Sequence, residues 1–313
     1  MKTYIPFFRG KQNELMAVRD LAELIAARGN VIPIIEPVKA NATTRISLDK
    51  YVEVSMPFMF VCNPGYGDFA GQNDRLFSEI TTEILMEYDN WIPSLRVRQE
   101  SLSNELSSFM SRYDGYPLAV IYQGLPSDRV AMGLLANESI TRHAFLSGKV
   151  PSSYINNIGL SQRIMISDPF NRVDRNADYP PREFFTDMNT LAGNPSRIDF
   201  GDFSVVGDHY AETGGPAYAI ALHHIHFQTN SGALEISHFI SDRTDTTVDP
   251  GGKTIEALNK LVAALDELNP NNTEACKEYR DIADAQIFRG LGYMKRLAIK
   301  HHLEVMLDGG IQL

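Results

Sequence analysis

Arg9, Glu36, Asn63, Gln123, Asp168, Asp208 and Asp242 share one feature. Each stands at or just past the end of a short apolar run. Where such runs are parallel strands of an α/β barrel, the residues past their C-terminal ends converge on one mouth. Several carboxylates there invite a divalent ion such as magnesium, which takes one or two carboxylates with waters and substrate phosphates. Glu36, Asp168 and Asp208 make the best trio. Arg9-Gly10-Lys11 lies at the first strand-to-helix turn. Arg9 presents a fork suited to a phosphate or carboxylate, with Lys11 beside it and the partial positive charge of a helix start behind. The other reading of Arg9 is an ion pair with Glu36 that ties the mouth together. No spacing motif enforces a metal site. Metal-dependent phosphodiesterase barrels bring a histidine from an early strand end, whereas Phe7-Phe8-Arg9 stands here. Replacing Glu36 by alanine is expected to alter ligand binding and leave the fold intact.

The histidines form a second constellation. In Ala217–Phe227, His223 alternates onto one face with Ala217, Ala219, Ala221, Ile225 and Phe227. His224 and His226 share the other face. A tight turn at Asn230-Ser231-Gly232 returns the chain through Leu234–Ser241 and sets His238 beside His223. Two inward histidines either hold a metal, supply an acid–base group near neutral pH, or stand as neutral, hydrogen-bonded core residues. His224 and His226 are expected on a solvated face near Glu235. His301-His302 lies among Lys295, Arg296 and Lys300 on the last helix, whose stripe is Met294, Leu297, Ala298, His301 and Val305, and the cluster reads as a charged outer face. Cys62, inside an apolar strand, reads as an inert core thiol. No G-x-S-x-G elbow and no nucleotide-binding glycine motif follows any strand.

The elements that must position these residues alternate. Strands are expected over Tyr4–Phe8, Val31–Ile35, Pro57–Cys62, Pro117–Tyr122, His143–Leu146, Arg163–Ser167 and Phe203–Val206. Helices are expected over Asn13–Arg28, Leu48–Val54, Leu76–Tyr88, Leu102–Tyr113, Arg129–Asn137 and Arg182–Leu191. That alternation predicts parallel strands with right-handed crossovers, and its count points to a TIM-barrel-like (βα) barrel. The late β-hairpin departs from the βα pattern. Thr254–Leu268, stopped at Asn269-Pro270, then Thr273–Ala285 and Leu291–Leu307 form C-terminal helices, an appendage over about 252–313 on a single domain. Their apolar stripes either cap the barrel or face a second chain.

Four segments carry a resemblance to a known family: YIPFFRGKQNELMAVRDLA, VIPIIEPVK, GDFSVVGDHYAETGGPAYAIALHHIHF and HFISDRTD. They resemble the Beta-protein-like family of bacterial and phage proteins, over about Tyr4–Lys39 and Asp199–Asp245. The resemblance implies a barrel-like α/β fold and no reaction. It also implies a recognition or scaffold role in a phage-conflict, prophage or mobile-element locus (antiviral defence), commonly beside a restriction-nuclease-like protein. The alternative is a metal-dependent hydrolase of a phosphate-containing substrate, with its site at the barrel mouth. The expected partner is that nuclease-like protein or a second copy of this chain.

Composition bounds both readings. The chain has 313 residues, 43% of them hydrophobic, and a formal net charge of −10. That charge argues against broad nucleic-acid coating, which needs a basic surface. No apolar run is long enough to span a membrane. The opening residues lack the apolar stretch of a signal peptide, so a cytoplasmic location is expected. Two cysteines make neither a disulfide framework nor a zinc motif.

Overall fold

Phe58–Val61 is buried at all four positions and Leu118–Tyr122 at all five. Strands of that kind need cover on both faces, which a parallel sheet flanked by helices provides. The computed structural model describes residues 3–190, 198–212, 215, 217–228, 231–268 and 272–310. It divides into two units. The first comprises Met1–Leu15, Ala22–Asp168 and Asn194–Phe203, and the second comprises Met16–Leu21, Pro169–Gly193 and Ser204–Leu313.

The first unit holds the barrel. In chain order its strands are β1 (Phe7–Phe8), β2 (Ile34–Ile35), β3 (Phe58–Val61), β4 (Trp91–Val97), β5 (Leu118–Tyr122), β6 (Ile140–Leu146) and β7 (Arg163–Ser167). After β8 (Arg182–Thr186), which belongs to the second unit, β9 (Asp199–Asp202) completes it. The eight barrel strands pair in the order β1-β2-β3-β4-β5-β6-β7-β9, parallel throughout. The two edges meet through a parallel bridge, Tyr4↔Phe200, and Ile5 N–H donates to Phe200 O at 2.8 Å. The cylinder is therefore almost closed. Tyr4 Oη also donates to Asp202 at 2.6 Å, both groups being buried. A Cβ on Gly201 would strike the backbone of Ile5, so only glycine lets β9 come this close. Ile5, Phe7, Ile34, Met59, Val61, Ala119, Ile121, Ala144, Ile164 and Ile166 pack as one cluster. Their spacing of two along each strand marks the filled interior.

The helices are α1 (Gln12–Asp20), α2 (Ala22–Arg28), α3 (Ala42–Glu53), α4 (Asn73–Leu76), α5 (Ser103–Arg112), α6 (Asp128–Leu135) and α7 (Ser152–Ile155). A π-helical stretch, Phe77–Leu85, continues α4. The expected helix Asn13–Arg28 is thus split at Leu21, and α3 begins six residues before the expected Leu48, where Asn41 accepts from Thr44 N–H.

Three expectations need correction. Trp91–Val97 is a barrel strand that the alternation did not reveal, because Pro93, Ser94 and Arg96 break its apolar run. Phe203–Val206 is not a strand. Ser204–Val206 makes a 3-10 turn, and the strand is the preceding, less apolar Asp199–Asp202. Arg182–Leu191 does not open as a helix: Arg182–Thr186 is β8, and Leu191 lies outside the described residues.

The second unit is built on an antiparallel sheet of order β10-β11-β8, with β10 (Ala221–Phe227) and β11 (Leu234–Ile240) forming the expected hairpin. Asn230 of the expected turn is outside the described residues, as are Asn269 and Pro270. Helices α8 (Pro250–Leu268), α9 (Glu274–Ala285) and α10 (Leu291–Val305) follow. Their apolar stripes meet each other and the sheet: Leu258, Leu261 and Leu265 pack in one cluster with Leu222, Tyr279, Met294 and Leu297. No helix among the described residues is long and apolar enough to cross a membrane.

Candidate functional site

Glu36 follows β2 and is wholly buried. A buried carboxylate needs partners on both oxygens. Arg9, one residue past β1, places Nη1 2.7 Å from Glu36 Oε2. Arg96, near the end of β4, places Nη1 3.0 Å from Oε1, and Gly65 N–H donates to that same oxygen at 2.8 Å. Both guanidinium groups lie against the Tyr66 ring, at 4.6 and 5.9 Å from its centre. Arg9 is 5% exposed and Arg96 3%. Burial, the larger cause, lowers the Arg96 pKa, and Glu36 works against it. A Cβ on Gly65 would fall inside the Arg96 guanidinium, so a larger residue here would displace that side chain. The result is a clamp of one carboxylate between two cations, drawn from the ends of β1, β2 and β4 and the loop after β3.

The other residues expected at the mouth divide between the two units. Asn63 exchanges hydrogen bonds with the Arg96 backbone, donating to Arg96 O at 2.8 Å and accepting from Arg96 N–H at 2.7 Å, which holds β3 against β4. Lys11 is half-buried just before α1, and Gln123 is half-buried past β5. Asp168 follows β7 and is exposed. Asp208, half-buried, belongs to the second unit, as does Asp242, which is exposed and pairs with Lys260 at 2.7 Å. A polar cleft of about 330 Å³ opens past β3, lined by Asn63, Asn73, Asp74, Glu105 and Arg112. Cys62 beside it is buried, and desolvation pushes its thiol up to about 12, so it is inert at neutral pH. Arg96 is the residue that sequence reasoning missed. Its signal was present in Arg96-Val97-Arg98, but only recognition of β4 makes it a strand-end residue.

No family model matches the chain, and neither does any curated protein or solved structure.

In the hairpin, parity places His223 opposite His238, and their Nδ1 atoms are 2.7 Å apart. His238 Nε2 lies 3.1 Å from Glu183 Oε1 on β8. A carboxylate only accepts, so His238 carries its proton on Nε2. Its Nδ1 then accepts from His223 Nδ1–H. Phe170 and Tyr179 wall the pair, with Tyr179 stacked on His238 at 4.6 Å. His223 also lines a cavity of about 180 Å³ with Lys295 and Asn176. Burial, then His238, then Lys295 depress the His223 pKa to about 3. Burial also depresses that of His238, against the pull of Glu183. The neutral, hydrogen-bonded state is therefore favoured over an acid–base group titrating near neutral pH.

His224 and His226 do lie on the opposite face, but that face is not solvated. Both are buried beneath the helical layer, and His226 Nε2 meets Ser237 Oγ at 2.9 Å. His301 and His302 are also buried, because α10 is covered on nearly every side. His302 Nδ1 meets Ser204 Oγ at 3.0 Å, and burial lowers its pKa to about 3.

Proposed function

We propose that this chain is a recognition or scaffold component of a bacterial phage-conflict or mobile-element locus, acting with a nuclease-like partner protein. One observation carries the choice over a hydrolase at the barrel mouth. Glu36, the central carboxylate of the candidate magnesium trio, already faces two guanidinium groups and a backbone amide. A divalent ion there would meet two buried cations within a few ångströms, where charge repulsion is strong. The clamp instead fills the mouth with a carboxylate already held by two cations. The locus and the partner rest on the resemblance of the opening and hairpin segments to the Beta-protein-like family. A net charge of −10 fits a protein partner better than a broad nucleic-acid surface.

The test is co-expression with the product of the neighbouring gene. A tagged chain should retain that product through size exclusion at moderate salt. The same preparation should show no magnesium-dependent phosphate release from mono- or diester substrates. A chain that ignores its neighbour and hydrolyses such a substrate, with the activity lost in Glu36→Gln, would overturn the proposal in favour of the hydrolase.

A further inference from the structure

His224 of β10 is the least explained polar side chain in the second unit. It is wholly buried, and neither ring nitrogen has a hydrogen-bond partner. Leaving a polar group dry and unpaired is destabilising. Nothing in the proposed function uses it. What surrounds it is specific. Cys276 on α9 and His301 on α10 are equally buried, and one ligand atom from each of the three residues lies within 4.8 Å of the others. Among the described residues this is the cluster of histidine, cysteine and carboxylate groups that meets that test.

The geometry is suited to a metal. His301 Nε2–H donates to the Ile225 carbonyl at 2.7 Å, which fixes the tautomer and leaves the Nδ1 lone pair facing the cluster. A backbone carbonyl on the far nitrogen is the usual support of a metal-bound imidazole. Cys276 Sγ stands 3.7 Å from that Nδ1. Sulfur and nitrogen bound to one tetrahedral zinc, at about 2.3 and 2.0–2.1 Å, lie roughly 3.5 Å apart. We infer that His224, Cys276 and His301 form a binding site for one borderline-soft metal ion, Zn²⁺ by ligand type, which joins β10, α9 and α10.

On binding, the Cys276 thiol gives its proton to solvent and the thiolate sulfur bonds the ion. Both imidazoles bind as neutral donors, and burial disfavours their charged forms. His224 is stacked on His301 at 4.0 Å and 12°. Parallel rings cannot both aim in-plane lone pairs at one ion, so His224 tilts off the stack. No hydrogen bond resists that tilt. The Thr273 hydroxyl, 2.9 Å from His301 Nδ1, turns to the Glu304 carboxylate, with which it already interacts. Glu304 and the thiolate then offset the two charges of the ion. Three protein donors leave one position for a water. The depth of the cluster makes this a structural tie rather than a catalytic centre.

The experiment uses the full-length chain, stripped with chelator and supplied with Co²⁺ or Zn²⁺ both when folded and during refolding. The expected result is one equivalent of Co²⁺ per chain. It should show tetrahedral d–d bands and a near-ultraviolet thiolate-to-cobalt band, displaced by Zn²⁺, with a rise in Tm. Cys276→Ser should lose the charge-transfer band. His224→Phe, which fills the same apolar space and keeps the fold, should weaken binding by more than the roughly 10–100-fold expected for an outer contact. A natively folded wild type without the charge-transfer band would overturn the inference. So would a folded His224→Phe that binds Co²⁺ as the wild type does.

Discussion

Glu36 is reached by no solvent, so its neighbours decide what its removal does. Glu36→Ala removes the carboxylate that two buried guanidinium groups share. Breaking a buried ion pair from one side costs about 3–5 kcal/mol. The sequence-based expectation of an intact fold is therefore revised: urea denaturation should show a loss of that size, with aggregation the extreme. Gly65→Ala should act in the same direction by displacing Arg96. His143 supplies a pH test. It is buried on β6 with Nδ1 2.9 Å from Tyr122 Oη, and desolvation lowers its pKa from 6.5 to about 4. Between those values the unfolded chain binds the proton that the folded chain refuses. Its contribution is thus complete above about 6.5 and is lost as pH falls towards 4. From pH 7 to 5 the loss should be on the order of 1–2 kcal/mol, and His143→Phe should abolish that part of the slope. Equal pH dependence in the two proteins would contradict the assignment. The sequence did pair Arg9 with Glu36, because consecutive parallel strand ends adjoin. It did not show Arg96, whose strand is disguised by Pro93.

At the scale of elements, the hairpin was legible because strand alternation has a period of two. His223 and His238 meet as parity requires. What parity cannot say is which face a helical layer covers, and there the reading failed: His224 and His226 lie beneath helices that begin more than twenty residues later. The same blindness made His301 and His302 appear to be surface residues. Local periodicity describes one helix, whereas burial depends on what packs against it. β8 was read as a helix because Arg182-Glu183-Phe184-Phe185 suits either element, and only its antiparallel pairing with β11 makes it a strand. The hairpin's hydrogen-bond chain yields its own prediction. Nitrogen-15 shifts at neutral pH should show His238 protonated on Nε2 and His223 on Nδ1. Glu183→Gln should disturb both, since an amide can present its donor where the carboxylate only accepts. Unchanged shifts in that variant would refute the chain.

At the scale of the molecule, the barrel class follows from strands alternating with helices, and Gly201 and Tyr4 show how its edges approach closure. The apolar stripes of the C-terminal helices, once candidates for a partner surface, are consumed within their own unit. A chain ending at Leu268 would lose Tyr279, Ile282, Met294 and Leu297 from that cluster, exposing Leu258, Leu261 and Leu265. It should aggregate rather than persist as a tidy barrel that merely fails to associate, and light scattering after expression would decide between the two. The proposed partner is therefore expected on a surface other than these stripes. Co-purification of the full-length chain with its neighbour's product, followed by a magnesium-dependent phosphate-release assay on the same fractions, tests the proposed role most directly. The account predicts a retained partner and no turnover from this chain. A lone monomer that turns over a phosphate ester, and stops when Glu36 becomes glutamine, would contradict it.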